Sequence, residues 1–236
     1  MNLRRTAFGV AVLLDDGSEL PIRQIVCIGK NYVEHAKEQA AEVPTRPMYF
    51  TKNLRALALD GDDIVIPKVC QDRPQVDYEA ELAVIIGAEV KDVPAAAALD
   101  CVLGYCAADD VSARWWQKDG SGGQFFRGKS FDGFAPLGPR VVPRRDLPDP
   151  QALRIVCRVN GEERQNASTA DMVFSVAHLI ADLSRGTTLV PGTVILTGTP
   201  GGVGFARKPP IFLAAGDRVE VEIEKIGVLA NRVRAE

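Results

Sequence analysis

The segment Asp77-Tyr78-Glu79-Ala80-Glu81-Leu82-Ala83-Val84-Ile85-Ile86-Gly87 reads as a strand over 78–86 that stops at a glycine. Side chains alternate across a strand, so Glu79, Glu81, Ala83 and Ile85 share one face and Tyr78, Ala80, Leu82 and Val84 the other. Both faces are apolar apart from the two glutamates, so neither is simply the wet side of an amphipathic strand. Two carboxylates on such a face repel, and burying either charge unpaired is costly. A hard divalent cation resolves the conflict, because oxygen ligands suit Mg²⁺, Mn²⁺ or Ca²⁺. Asp110 offers a third oxygen where another strand gives way to a helix. On spacing alone, salt bridges along a half-exposed edge strand account for Glu79 and Glu81 better; only the neighbouring segments make the metal reading specific.

Outward from this strand the pattern is one of short strands with few helices. Asp16-Gly17 predicts a hairpin joining 7–14 to 20–28. A polar helix runs from about Tyr32 to Ala41, and strands follow at 48–52 and 63–66. Val93-Pro94 opens an alanine-rich helix to about Leu103. The stretch 104–114 carries a strand into a helix that continues to Lys118, with Asp110 or Ser112 available as N-cap. Residues 138–150, rich in proline, read as a surface connection. Asn160-Gly161 marks a second hairpin. A long helix over 171–184 sets Met172, Val176, Leu179, Ile180 and Leu183 on one face, and 194–196 and a last hairpin complete the chain. Regular strand–helix alternation is missing, which predicts an α+β, predominantly β domain.

Composition narrows the function classes. A net charge of −3 leaves no electrostatic footprint for nucleic acid. No run of about 18 apolar residues is present, so no membrane span is expected. The N-terminal MNLRRTAFGVAVLLDDG imitates a signal peptide but reaches Asp15-Asp16 too soon and reads as a first strand. Five cysteines without CxxC spacing suit a reduced, cytoplasmic protein.

The segments IGKNYVEHAKE (28–38), DYEAELAVIIG (77–87), GYCAADDVSAR (104–114), FRGKSFD (126–132) and ILTGTPGGVG (195–204) stand in a recognisable order and spacing. From about Val26 onward the chain resembles the fumarylacetoacetate hydrolase family, and most of all its small single-domain members acting on acylpyruvates and oxaloacetate. The resemblance implies a mixed β-roll or β-sandwich with a few helices, a catalytic domain over 26–236 preceded by N-terminal strands over 1–25, and a homodimer. It implies Mg²⁺ or Mn²⁺ held by Glu79, Glu81 and Asp110, and a catalytic pair, His35 and Glu38, on a short lid helix. The family's active-site lysine falls on Lys129 and its substrate-binding glutamine and threonine on Gln117 and Thr199. Arg114, Lys30 and Lys52 are further candidates for substrate contact. Lys30 stands where many relatives have arginine, 51–54 departs from the L-K-P-S of others, and Trp115-Trp116 replaces an acidic residue after Arg114. These departures sit near the expected substrate tail.

The residue types suit oxo-acid chemistry. A 2-oxo acid offers a carboxylate and a keto oxygen for bidentate chelation, and the metal stabilises an enolate as Lewis acid. His35 is the natural general base, with Glu38 on the same helix face at i, i+3. The leading expectation is hydrolysis of a C–C bond in an acylpyruvate or fumarylpyruvate-type 2,4-dioxo acid through a metal-bound enolate. The alternative is an oxaloacetate decarboxylase or tautomerase, or a 2-oxo-dienoate isomerase, using the same enolate. A non-catalytic protein binding metal or a small acid ranks last. His178, the Trp115-Trp116 pair and the Glu220, Glu222, Glu224 face read as ordinary surface or packing residues, and GTPGGVG lacks the Lys-Ser/Thr that completes a P-loop.

Overall fold

The computed structural model describes residues 1–7 and 9–236. Its centre is a seven-stranded mixed sheet in the order Met48–Lys52, Gln24–Gly29, Thr193–Leu196, Ala80–Ile86, Val102–Asp109, Ala135–Pro143, Leu57–Leu59. Ala80–Ile86 lies at its middle and is buried along its whole length. That is what apolar residues on both faces require, and it rules out an edge strand. Glu81 is paired opposite Ala108 within the ladder, while Glu79 sits one residue before the strand begins.

A five-stranded sheet packs on this one, in the order Glu162–Ser168, Arg154–Val159, Arg218–Ile223, Gly227–Ala235, Asp63–Ile66. Asn2–Thr6, Gly9–Leu13 and Glu19–Pro21 form a small antiparallel sheet of their own. Among the described residues, four short α-helices complete the layers: α1 (Val33–Glu38), α2 (Arg114–Gln117), α3 (Phe125–Lys129) and α4 (Val176–Ser184). The fold is α+β and predominantly β. No helix is long and apolar enough to cross a membrane among the described residues.

Several local expectations give way to tertiary pairing. The hairpin at Asp16-Gly17 forms, but its second strand is only Glu19–Pro21; Gln24–Gly29 leaves to pair in parallel with Thr193–Leu196. The alanine-rich segment makes a 3₁₀ turn over Ala95–Cys101, because Val102 is claimed by the ladder to Ile86. Residues 138–143 belong to a nine-residue strand, Ala135–Pro143, not to a surface connection. Neither Asp110 nor Ser112 caps α2: Ala113 holds the cap position, Ser112 pairs with Asp77, and its hydroxyl donates to the Asp110 carbonyl. The long helix begins only at Val176. Ser168 and Asp171 close a separate capping-box turn, and Ser175 caps α4 by accepting from His178 N–H.

Asn31 explains that late start. Its amide nitrogen donates to the Phe174 carbonyl at 3.0 Å and the Thr197 carbonyl at 2.8 Å, and its side-chain oxygen accepts from Phe174 N–H at 2.8 Å. One buried amide thus ties the end of Gln24–Gly29 to the approach to α4 and to the end of Thr193–Leu196. Gly198 must pass it closely: its φ is +95°, and a Cβ there would lie 2.6 Å from Asn31 Cβ. Replacing Asn31 with Ala strands two carbonyls and one N–H, at a cost of about 2–4 kcal/mol. Urea denaturation should report that loss; a change below about 1 kcal/mol would remove Asn31 as the tie.

Candidate functional site

Glu79, Glu81 and Asp110 come together as the sequence suggests. One carboxylate oxygen from each lies within 4.8 Å of the others, and all three residues are buried. The backbone sets this up. Asp110 N–H donates to the Glu79 carbonyl at 2.9 Å, and Glu79 N–H donates to Asp109 Oδ1 at 2.8 Å. Asp109 is therefore spent on holding the chain at Glu79, outside the cluster. Its Oδ2 has no hydrogen-bond partner among the described residues, and burial pushes its carboxyl up to about 7.

Basic side chains from separate elements converge on the cluster. Lys129, at the end of α3, reaches Glu79 Oε2 and Asp110 Oδ2 at 2.6 Å each. Gly128 makes this possible, because a Cβ there would collide with the backbone of Gln117 on α2. Lys52 pairs with Asp110 Oδ1 and donates to the Val111 carbonyl at 3.2 Å. Arg114, opening α2, meets Glu79 Oε1 at 2.7 Å and donates through Nε to Asp77 Oδ2 at 2.8 Å. Its Nη2 lies 2.7 Å from the same Asp77 oxygen as an ion pair without hydrogen-bond alignment. Gln117 accepts from Arg114 Nη1 at 3.0 Å. Lys52 and Arg114 are thus committed to the chain's own carboxylates in this state.

The charge balance is uneven. Burial opposes ionisation of Glu79, but Lys129 and Arg114 overcome it and hold the carboxyl well below its usual range. Glu81 has less help: among the described residues its one hydrogen bond is from Gly198 N–H at 2.7 Å, and burial, Asp110 and Glu79 outweigh Gly198 and Lys129 and drive its carboxyl well above the usual range. A buried carboxylate with a single donor, facing two others, is a donor set that fits a hard divalent cation. With all groups ionised, the three carboxylates and Asp77 against Lys52, Lys129 and Arg114 sum to −1, and a divalent cation would turn this to +1. Such a site attracts an anion.

His35 and Glu38 lie on α1, and the helix is less polar in place than in sequence, since His35 and Ala36 are buried. His35 Nδ1 is 2.7 Å from Glu38 Oε1, which makes that nitrogen the N–H donor and leaves Nε2 as the base. Gln39, unremarked in the sequence, donates to Nε2 at 2.8 Å. Glu38 Oε2 accepts from Gly202 N–H at 2.7 Å, which docks α1 onto the glycine-rich loop. Between α1 and the basic residues lies a cavity of about 40 Å³ lined by His35, Gln39, Glu79, Lys129, Gln117 and Thr199. Lys30 and Arg114 also face it.

Two residues that sequence reasoning passed over organise the site. Asp77 accepts from Arg114, Tyr78 N–H, Gly204 N–H and Phe205 N–H. Its signal was available: 77, 79 and 81 form an alternating acidic series. Gln165, buried in the strand after the Asn160-Gly161 turn, accepts from Ala80 N–H at 2.9 Å. It donates to Thr199 Oγ1 at 2.7 Å and the Pro200 carbonyl at 2.8 Å. It thereby joins the residue between the two glutamates to the glycine-rich loop. With Oγ1 accepting, the Thr199 hydroxyl proton is free to donate toward the cavity. A glutamine on one face of a polar strand carries no such signal in sequence.

Known proteins share this architecture. The fumarylacetoacetate (FAA) hydrolase C-terminal family model matches residues 24–234. The human mitochondrial oxaloacetate tautomerase FAHD2A is 48% identical over 210 residues, covering 89% of this chain. This chain spans 66% of that protein's length. A fumarylacetoacetate hydrolase from Exiguobacterium antarcticum superposes with a TM-score of 0.83 at 44% identity, covering 92% of this chain and 76% of that one. Fumarylpyruvate hydrolase from Pseudomonas aeruginosa, in complex with Mn²⁺ and pyruvate, gives 0.85 at 30% identity over 100% of both chains. The chain belongs to the fumarylacetoacetate hydrolase family.

Proposed function

We propose that the chain is an enzyme that interconverts the enol and keto forms of a 2-oxo acid of the oxaloacetate type, with hydrolysis of an acylpyruvate as the second reading. The observation that carries this is the dyad: one imidazole, its tautomer fixed by Glu38, lines the same cavity as Glu79 and Lys129, with Gln39 on its basic nitrogen. Tautomerisation moves one proton from the enol oxygen and places one on C3, and a single base at His35 Nε2 suffices for both transfers. Hydrolysis needs an attacking water besides. The 48% identity to a protein named oxaloacetate tautomerase, against 44% to a fumarylacetoacetate hydrolase and 30% to a fumarylpyruvate hydrolase, points the same way by a small margin.

In this reading Glu79, Glu81 and Asp110 would hold Mg²⁺ or Mn²⁺, which would supply Lewis-acid stabilisation of developing enolate charge. Lys129, released from Glu79 and Asp110 once a cation neutralises them, and the Thr199 hydroxyl would bind the carboxylate end of the substrate. Gln39 leaves His35 Nε2 when substrate arrives, freeing the base. The cavity of about 40 Å³ holds only two or three waters, so α1 has to shift to admit an acid of about nine heavy atoms.

His35→Ala should lower kcat for oxaloacetate enol-to-keto conversion by about 10²–10⁴-fold, with Glu38→Gln intermediate, measured by loss of enol absorbance in the presence of Mn²⁺. Full activity in His35→Ala would sink the dyad's role. A second expectation follows from Glu81. Burial, Asp110 and Glu79 raise its carboxyl and favour the protonated form in the cation-free protein, so cation binding expels the proton it holds. Mn²⁺ affinity should therefore rise with pH by about tenfold per unit while Glu81 stays protonated in the free protein. Calorimetry in two buffers of different ionisation enthalpy should detect proton release on Mn²⁺ binding. A flat pH profile in wild type would contradict the assignment, as would wild-type affinity in Glu81→Gln.

A further inference from the structure

Three of the cations around the cavity are used by the chain itself: Lys52 on Asp110, Lys129 on Glu79 and Asp110, and Arg114 on Asp77 and Glu79. Lys30 and Lys118 are not. Both line the same cavity as His35, Gln117 and Thr199, and among the described residues neither ammonium forms a hydrogen bond or ion pair. Lys118 Nζ instead lies 3.6 Å from the centre of the Phe205 ring, a cation–π contact that leaves the ammonium able to accept an anion.

The two lysines are held in place at a cost. Lys30 has φ +57°, a conformation that residues other than glycine rarely adopt, and its neighbour Asn31 is pinned by three side-chain hydrogen bonds. Burial, Arg114 and Lys30 together push the Lys118 ammonium below the usual lysine range, against a weaker attraction from Asp119. Cations crowded at a cavity wall without a counterion are unfavourable until an anion arrives. The carboxylate cluster and Lys129 account for the oxo-acid end of the substrate. The uncompensated charge calls for a second anionic group.

We propose that Lys30 and Lys118 form a subsite for the distal carboxylate of a 2-oxo dicarboxylic acid and so select it over a monocarboxylate of the same length. The assignment rests on the oxo-acid reading above and adds the substrate class to it.

Oxaloacetate and 2-oxobutanoate share four carbons and differ in the distal carboxylate alone. Deuterium exchange at C3 in D₂O, followed by NMR with the Mn²⁺-loaded protein, reads both. Wild type should prefer oxaloacetate in kcat/KM. Lys118→Gln and Lys30→Gln should each reduce that preference by about tenfold or more, chiefly through KM, as loss of a charge-assisted hydrogen bond implies. Lys118→Arg should keep most of it. An unchanged preference in both Gln variants overturns the subsite, and so does a wild type that does not discriminate. If wild type exchanges neither acid, the enolisation reading fails. Fluorescence titration with the same pair then decides the subsite: a Kd ratio that favours oxaloacetate and falls in the Gln variants upholds it, and an unchanged ratio overturns it.

Discussion

Repulsion among three buried carboxylates is the constraint around which the rest of the molecule is arranged. Glu81 lies in the middle strand of the large sheet and cannot swing to solvent, and Glu79 and Asp110 are tied to each other through the backbone. Uncompensated, such charges would destabilise the domain by several kcal/mol each. Compensation comes from Lys52 on Met48–Lys52, Arg114 on α2 and Lys129 on α3. Three segments distant in sequence converge because they carry the charges this point needs. Glu81 receives only one backbone N–H, and that shortfall is what a cation would supply.

The second organising device is the loop that follows Thr193–Leu196. Gly198 N–H serves Glu81, Gly202 N–H serves Glu38, and Gly204 and Phe205 N–H serve Asp77. Its glycines expose backbone donors in the manner of a phosphate cradle, yet the anions they hold are the protein's own. One rigid loop therefore fixes a ligand of the candidate cation site, the orienting carboxylate of the dyad and the counterion of Arg114. Gln165 adds a fourth tie through Thr199 and Pro200. A displacement of this loop would disturb the dyad and the cluster together.

Much of this was legible in the sequence, and the reason differs by element. The 78–86 run announces a central strand because it is apolar on both faces, and Asn160-Gly161 announces its turn because both residues take positive φ, 54° and 79°. The site residues were legible through the five motif segments, each of which carries at least one side chain that reaches the cluster, the dyad or the cavity. Local signals misled where a distant partner competed. Alanine propensity over 95–101 lost to the ladder that takes Val102, and the helix over 171–184 lost its first turn to Asn31. Gln165 and Gln39 were invisible because a neutral amide on a polar stretch looks solvated until its partners are placed.

The same electrostatics bear on which reaction the site can run. Every reading shares the stabilised enolate, so the cluster and Lys129 serve tautomerisation and C–C cleavage alike, and the single base of the dyad is what favours tautomerisation. The choice of acid depends on what occupies the space beyond the oxo-acid end. A neutral acyl tail would gain nothing from two unpaired ammonium groups and would bear the cost of desolvating them. A carboxylate tail would neutralise them and hold C3 beneath His35 Nε2 from both ends of the molecule. The charge pattern at Lys30 and Lys118 and the single base at His35 thus favour the same class of acid. All three line one cavity.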